Sequence, residues 1–499
     1  MTATAADPAT PREPLFSEGY KRVVVAFLLA AYTFNFIDRT IVAIIGQAIK
    51  VDLKITDTQL GLLGGLAFAI LYTVLGVPIA RLAERRSRVS IIALSLVVWS
   101  GFTVACGFAA NFISLMIMRV GVGIGEAGCS PPSHSLISDY FEPRRRASAL
   151  GIYAFGIPLG AMIGAIAGGW LAKNFGWRVA FMAVGAPGVI LAVLVKLIVR
   201  EPPRGHSDGP AAPAAAAPAG GLARELSEIW AVTRTLFGSW PVLNMVLGVT
   251  IVSIAGYGVG QFSPPYFTRA FGLDYATVGL IFGLVGGVSA GLGTLAGGFI
   301  SDWAGRRGAR WYALTPAIGL AIATPFYVLI YRADDWRAAA LILIVPGLFS
   351  YTYLAPTFGV VQNVVETRRR ATATAVMFLF LNIIALGGGP FLCGLLIDLF
   401  AQFDFNHLGP VSFFQRFLGA VAGGHGASFI GQCPGGVPPP GAAPALIWQC
   451  KTAETLATRE GILVMIGFYA WGALHYLLAS FGLARRMARA SAARTAGAL

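Results

Sequence analysis

The chain has 499 residues, of which 56% are hydrophobic and only 12% are charged, and its mean hydropathy is +0.71. This composition excludes a water-soluble globular protein, a disordered chain and a disulfide-rich mini-protein, because it leaves too little polar surface for contact with water. The net charge of +14 would favour nucleic acid in a soluble protein, but here it indicates Lys and Arg gathered in cytoplasmic loops. We therefore expect an all-α integral membrane protein without a nucleic-acid partner.

Twelve apolar segments are each long enough to cross a bilayer as a helix, and they lack the alternating polarity of barrel strands. They are numbered here as predicted helices 1 to 12, and they lie at residues 22–49, 57–80, 89–110, 112–138, 146–172, 178–199, 240–268, 275–300, 309–331, 337–362, 371–399 and 460–484.

The predicted helices divide the chain into two six-helix bundles, at residues 22–199 and 240–484. The remaining segments are an N-terminal tail (1–21), a central linker (200–239) with a possible amphipathic helix at 222–237, a long outer loop (401–458) and a basic tail (485–499). Most Lys and Arg fall in the two tails, the linker and the loops on one face, so both termini are predicted to be cytoplasmic in a bacterial-type inner membrane. In the outer loop, Cys433 and Cys450 could form a disulfide or remain two thiols.

Two pairs of loop motifs repeat between the predicted bundles. Ala80-Arg-Leu-Ala-Glu84-Arg85-Arg follows helix 2, and Gly298-Phe-Ile-Ser-Asp302-Trp-Ala-Gly-Arg306-Arg follows helix 8. Glu142-Pro-Arg-Arg-Arg-Ala and Glu366-Thr-Arg-Arg-Arg-Ala follow helices 4 and 10. Two unrelated local matches at nearly the same offset predict a parallel duplication of a six-helix unit.

The paired loops resemble those of the major facilitator superfamily. Within it, Asn35-Phe-Ile-Asp38-Arg39, Arg119-Val-Gly-Val-Gly-Ile-Gly-Glu126 and Arg200-Glu-Pro-Pro-Arg-Gly205 are similar to the spinster family. The resemblance implies a major facilitator fold, in which two pseudo-symmetric bundles rock about a central cavity. We expect the protein to be a monomer and to need no cofactor. Glu84 and Ser87 depart from the Asp and Gly of the superfamily motif, and the long outer loop is not expected of the family.

Four charged residues are predicted near the middle of the membrane, on helices 1 and 4. Asp38 lies about 18 Å along helix 1 from Lys50, which marks the outer end of that helix. Glu126 lies about 22 Å along helix 4 from its outer end. Ionisable groups at this depth usually line a water-filled cavity. We expect Asp38 and Glu126 to exchange protons, a role that the spinster resemblance also implies, and Arg39 and Arg119 to balance their charge and bind an anionic substrate. The alternative is a set of permanent ion pairs that brace the two helices.

The second predicted bundle offers aromatic and amide groups instead of charges. The cavity candidates are Tyr257, Gln261, Tyr351, Tyr353 and Asn382. A cavity with one charged wall and one aromatic wall would suit an amphipathic anion, although such aromatic residues can also be ordinary packing. At the inner ends, Glu84, Arg85, Asp302 and Arg306 are predicted to act in gating.

These observations predict a proton-coupled secondary transporter that works by alternating access. The spinster resemblance suggests a lysophospholipid or sphingoid phosphate as substrate. A transporter of small organic anions is the first alternative, and a membrane lipid receptor that does not transport is the second. No nucleophile–base pair or metal-ligand spacing occurs in the sequence, so neither an enzyme nor a metal site is expected.

Overall fold

The computed structural model describes residues 15–207, 222–365, 369–423 and 426–495, and its regular structure there is helical. Eleven of these helices are long and apolar enough to cross a membrane. One of them, Ser148–Ile198, has 51 residues and would be about 76 Å long, more than twice the hydrocarbon core of a bilayer. Its backbone turns at Gly176, where φ is 83°, and this turn divides it into two crossings. The eleven helices therefore make twelve crossings, which confirms the predicted fold.

The first bundle contains the crossings α1 to α6, several of which are built from two consecutive helices. They are α1 (Glu18–Ile44), α2 (Asp57–Gly64 and Leu66–Arg85), α3 (Arg88–Cys106), α4 (Phe112–Glu126 and Ser130–Tyr140), α5 (Pro143–Ala154 and 156–175) and α6 (177–198). A short helix, Gly46–Leu53, continues α1 at its outer end.

The second bundle contains the crossings α7 to α12. They are α7 (Trp240–Phe271), α8 (Tyr275–Leu280, Ile281–Gly286 and Gly287–Gly305), α9 (Trp311–Ile330), α10 (Trp336–Ile342, Ile344–Ser350 and Leu354–Val364), α11 (Arg370–Phe380, Leu381–Gly387 and Gly388–Asn406) and α12 (Pro444–Thr495). The backbone of α12 leaves helical geometry at Phe481 and Gly482, so its last residues are not part of the crossing. The middle parts of α8 and α11 are π-helical. The linker contains a helix, Leu222–Phe237, which buries Val232 and Leu236.

Glycines bring the two bundles into close contact along two helix pairs. A Cβ atom at Gly61 of α2 would lie 2.2 Å from the carbonyl oxygen of Pro390 in α11. On the other side of the molecule, a Cβ atom at Gly279 of α8 would lie 2.2 Å from the carbonyl oxygen of Ala165 in α5. Only glycine permits such an approach of two helix backbones, so these positions set how closely the bundles meet.

The outer connection between α11 and α12 is more ordered than the predicted loop at 401–458. α11 continues to Asn406, α12 already begins at Pro444, and the helices Phe413–Val421 and Phe429–Gln432 lie between them. The sequence prediction of helix 12 over 460–484 was too short, because Lys451, Glu454 and Arg459 lower the hydropathy of its first turns. Cys433 and Cys450 form a disulfide with a Cα–Cα distance of 5.8 Å, which ties this connection to α12.

Candidate transport site

The four predicted charges of α1 and α4 lie together in the structure. The Arg39 Nε is 2.8 Å from the Glu126 Oε2, so these two side chains form an ion pair between the helices. The Arg119 Nη1 donates a hydrogen bond of 3.4 Å to the backbone carbonyl oxygen of Asp38. Arg39, Arg119 and Glu126 all act electrostatically on the Asp38 carboxyl group. The site therefore contains two acids and two guanidinium groups in mutual range.

These four side chains differ in their access to the interior space. Asp38, Arg119 and Glu126 are buried, with at most 2% of each residue exposed. The Arg39 side chain keeps 21% of its surface exposed. Of the two guanidinium groups, Arg39 is therefore the one that an incoming anion can reach.

Aromatic rings surround the Arg39 guanidinium group. Its central carbon lies 5.1 Å from the ring centre of Phe36, 4.6 Å from that of Phe68 and 4.8 Å from that of Tyr72. Cation–π attraction of this kind stabilises a guanidinium group away from bulk water by about 0.5–2 kcal/mol per ring. The rings therefore help to hold the Arg39 guanidinium group in this position.

Several buried polar atoms of this site have no hydrogen-bond partner among the described residues. They are Asn35 Oδ1, Asp38 Oδ1, Arg119 Nε and Glu126 Oε1. A buried polar group without a partner costs about 1–3 kcal/mol, and more when it is charged. Permanent bracing pairs would be expected to satisfy these atoms. The free oxygens on both carboxyl groups favour the alternative in which the acids take up protons.

The second bundle places its predicted cavity residues at different depths. Tyr257 of α7 and Tyr351 of α10 are 42% and 37% exposed. Among the aromatic candidates, these two therefore present the most surface.

The other three candidates are less accessible. Tyr353 is buried, and its hydroxyl lies 3.1 Å from the Ser253 Oγ. Gln261 is also buried and packs against Gly64 of α2, and its Nε2 has no hydrogen-bond partner among the described residues. Asn382 is partly buried within the π-helical part of α11. These three residues therefore present less surface than Tyr257 and Tyr351 do.

The four predicted gating residues lie at the inner ends of the bundles. Glu84, Arg85, Asp302 and Arg306 are all exposed. The Tyr312 hydroxyl donates a hydrogen bond of 3.3 Å to Asp302, and this contact stays within the second bundle. Within the described ranges, no ion pair joins any of these four residues to the opposite bundle.

At the outer ends, four buried charges join the two bundles, and we refer to them as the outer charge cluster: Lys50, Asp57, Arg269 and Glu454. The Lys50 Nζ lies 2.7 Å from Asp57 and 2.8 Å from Glu454. The Arg269 guanidinium group lies 2.6 Å from Asp57 and 3.3 Å from Glu454. Because Lys50 and Asp57 belong to the first bundle and the other two to the second, these contacts hold the outer ends together.

A carboxylate at the end of α11 strengthens the same closure. Asp398 accepts hydrogen bonds from the backbone N–H groups of Asp57 (3.0 Å) and Thr58 (2.7 Å), at the start of α2. A carboxylate that caps a helix N-terminus stabilises it through both hydrogen bonding and the helix dipole. The cap here comes from the opposite bundle, so it is lost when the outer ends separate.

The sequence analysis missed this outer cluster and a buried one at the inner face. Lys50 was considered there only as the outer end of helix 1, and Glu454 fell in the predicted loop. At the inner face, Arg88 forms an ion pair with Asp139 and donates a 2.7 Å hydrogen bond to Glu201. The signal that could have found the inner cluster was the Arg200-Glu-Pro-Pro motif, which contains Glu201.

The arrangement described so far is that of a transporter closed at its outer ends, with a charged site at mid-membrane. The family model of the Major Facilitator Superfamily matches residues 28–398. The chain therefore belongs to the major facilitator superfamily, whose members are transporters and not enzymes. Within it, the protein is of the spinster type, as two comparisons show.

Curated relatives include an efflux pump, a spinster homologue and a transporter named for hexuronate. An MFS-type efflux pump of Mycolicibacterium smegmatis is 34% identical over 75% of this chain and 84% of its own length. Protein spinster homolog 1 of Bos taurus is 28% identical over 85% of this chain and 84% of its own. The hexuronate transporter of Bacillus subtilis is 27% identical over 81% of this chain and 97% of its own.

Solved structures give the same assignment. A bacterial homologue of the human lysosomal transporter Spinster, in an inward-facing and unoccupied conformation, is 32% identical with a TM-score of 0.78. The similarity covers 94% of this chain and 99% of that one. The occupied inward-facing form of that homologue gives a TM-score of 0.76. Both neighbours are inward-facing, in agreement with the closed outer ends found here.

Proposed function

We propose that this transporter couples the movement of an amphipathic organic anion to protons by alternating access. The observation that carries the proposal is the Arg39–Glu126 ion pair, in which one Glu126 oxygen is paired and the other is free. Asp38 lies beside this pair as a second buried carboxyl group. The Arg39 guanidinium group can thus pair either with the Glu126 carboxylate or with an anion that enters the site.

Competition for Arg39 provides a physical route to coupling. When a substrate anion binds Arg39, it weakens the pairing of Arg39 with Glu126. A buried carboxylate that loses its cation is strongly destabilised, so Glu126 then takes a proton. Anion binding and proton binding therefore favour each other, and this reciprocity is the thermodynamic basis of symport. Loss of the proton restores the ion pair and releases the anion.

The proposed substrate is a lysophospholipid or sphingoid phosphate. Arg39 would bind its phosphate, and the aromatic wall around Tyr257 and Tyr351 would contact its apolar body. A second candidate is a small organic anion. The relatives named hexuronate transporter and probable L-galactonate transporter, at 27% and 24% identity, favour it.

The protein reconstituted in liposomes tests both parts of the proposal. We expect uptake of labelled lysolipid to rise several-fold under an imposed pH gradient. Asp38→Asn and Glu126→Gln each remove one of the two titrating groups, so each should reduce this pH response at least tenfold. Asp52→Asn serves as the matched control, since Asp52 is an exposed acid at the outer end that pairs with Arg178.

Three results would contradict the proposal or one of its parts. If both central variants keep the pH response of the wild type, the acids are structural and proton coupling is wrong. If hexuronate is transported and lysolipid is not, the small-anion candidate replaces the lipid. If lysolipid binds without being transported in any gradient, the protein is a receptor.

A further inference from the structure

The connection between α11 and α12, residues 407–423 and 426–443 of the described chain, is referred to below as the outer insert. It covers one side of the second bundle at its outer end and encloses a cavity of about 460 Å³. Arg332 at the end of α9, Arg416 of the insert, and Arg459 with Glu460 of α12 line this cavity. Phe413 and other apolar side chains complete the wall. The cavity is remote in the fold from the central site on α1 and α4.

The cavity carries an excess of positive charge. Arg416 lies 3.2 Å from Asp404 and 3.5 Å from Glu460, and Arg459 lies 3.0 Å from the same Glu460. Two carboxylates are thus shared by two guanidinium groups. Arg332 has no ion pair within the described part of the chain, so its positive charge in the cavity is not compensated by a carboxylate there. A cavity of this composition attracts an anion.

The pairing inside the cavity is also incomplete. Arg416 is buried, and its Nε lies 3.2 Å from the Asp404 Oδ1, but the two atoms are not aligned as a hydrogen bond. Among the described residues, neither the Arg416 Nε nor either carboxylate oxygen of the fully buried Asp404 takes part in a hydrogen bond. An ion pair that served only to brace the insert would be expected to align these atoms, because a buried donor without a hydrogen bond is costly. Arg416 retains donor capacity for a further acceptor.

The helix Phe413–Val421 beside the cavity indicates what kind of anion this is. It begins with a capping box of Ser412 and Gln415 and buries Arg416 on one face. Its opposite face exposes large apolar side chains: Phe414, Leu418 and Val421. A short helix with an apolar face at the outer end of a membrane bundle is typical of a helix that lies at the bilayer interface. The cavity therefore opens beside acyl chains rather than open water.

From the positive charge of the cavity and the apolar face of the helix beside it, we infer that the outer insert forms a binding site for the headgroup of an anionic phospholipid of the outer leaflet. The phosphate would accept hydrogen bonds from Arg332, Arg416 and Arg459. The acyl chains would pack on the exposed face around Phe414 and Leu418. The inference does not depend on the proposed transport function, because it concerns a different part of the molecule.

Lipid retention by the purified full-length protein tests the inference. Native mass spectrometry, with phosphatidylglycerol and phosphatidylcholine added at equal concentration, measures the preference for the anionic lipid. We expect the wild type to retain phosphatidylglycerol about fivefold better, the preference that one favourable Arg contact supplies. Arg332→Gln and Arg459→Gln should each reduce the preference towards one. Phe414→Ser should lower retention of both lipids.

The control is Arg337→Gln, which should leave the preference unchanged. Arg337 also lies at the outer end of the second bundle, but its side chain is 72% exposed and outside the cavity. If Arg332→Gln and Arg459→Gln retain phosphatidylglycerol as well as the wild type does, the inference is overturned. If soluble glycerol phosphate at the same concentration displaces the lipid, the site is one for a free anion and the lipid assignment is wrong.

Discussion

Asp57 and Glu126 are both buried carboxylates, but their surroundings assign them different roles. Asp57 accepts hydrogen bonds from Lys50 (2.7 Å) and from two nitrogens of Arg269 (2.6 and 3.2 Å), so its charge is compensated from two sides. Glu126 forms one ion pair, with Arg39, lies within the electrostatic range of Arg119, and has a second oxygen without a hydrogen-bond partner among the described residues. The charge of Asp57 is therefore compensated by more direct contacts than that of Glu126.

Glu201 at the inner face gives a test of residue electrostatics outside the membrane-spanning segments. Burial alone would raise its pKa, but hydrogen bonds from the Val89 N–H, Arg88 and Ser87 outweigh burial and hold the pKa of Glu201 below its usual value. Since the pKa is lower in the folded state, the stabilisation is complete above about pH 4.3 and is lost as the pH falls through the folded-state pKa.

We expect Glu201→Gln to lower the Tm of the detergent-purified protein by a few degrees at pH 7, through the loss of charged hydrogen bonds worth about 1–2 kcal/mol. The wild type should lose this advantage over the variant when the pH is lowered from 5 to 3. Glu142→Gln is the control, because Glu142 is exposed at the same face, and it should leave Tm unchanged. A Tm difference between the wild type and Glu201→Gln that stays constant over this pH range would refute the assignment.

At the scale of helices, the contact between α2 and α11 decides how firmly the outer ends close. Gly61→Ala places a methyl group 2.2 Å from the Pro390 carbonyl oxygen, which is too close for any van der Waals contact, so the two helices must separate. We expect this variant to populate the outward-open state more than the wild type. Pulsed electron paramagnetic resonance across the outer ends should show a longer mean distance.

Gly76→Ala on the same helix provides the matched control. A Cβ atom at Gly76 has nothing within 4 Å, so the distance distribution should remain that of the wild type. If Gly61→Ala leaves the outer distance unchanged while the protein stays folded, the closeness of α2 and α11 does not set the closure.

The sequence predicted the crossings well, because a span of about 20 apolar residues is a strong and local signal. It also placed Asp38 and Glu126 at a similar depth, from the 1.5 Å rise per helical residue alone. It did not reveal that Arg39 pairs with Glu126, because that contact depends on how α1 and α4 turn towards each other. The start of α12 at Pro444 was hidden, since the polar Lys451 and Glu454 are stabilised there by tertiary ion pairs that no hydropathy window detects.

For the whole molecule, the distribution of charge predicts the orientation in the membrane. The two bundles make an even number of crossings, so both ends of the chain should lie on the same side. The exposed inner Arg residues predict that this side is the cytoplasm. The outer insert with its disulfide then lies on the oxidising side, in agreement with the compartments where disulfides persist.

Reporter fusions test this orientation. Green fluorescent protein joined after Leu499 should fluoresce in bacterial cells, and alkaline phosphatase at the same position should be inactive, because the former matures only in the cytoplasm and the latter only outside it. Alkaline phosphatase inserted after Gly441, in the outer insert, should be active. The reverse pattern would show that the C-terminus lies outside the cytoplasm, and the orientation predicted from the Arg residues would be wrong.

The cysteines also determine how the protein can be labelled chemically. Cys106, Cys129 and Cys393 are fully buried, and the remaining two are bonded to each other. The folded wild type therefore presents no thiol to a maleimide reagent under non-reducing conditions. A reporter cysteine introduced on either bundle would be the sole reactive site, so fluorophores can be attached to the native chain without first removing its own sulfur atoms.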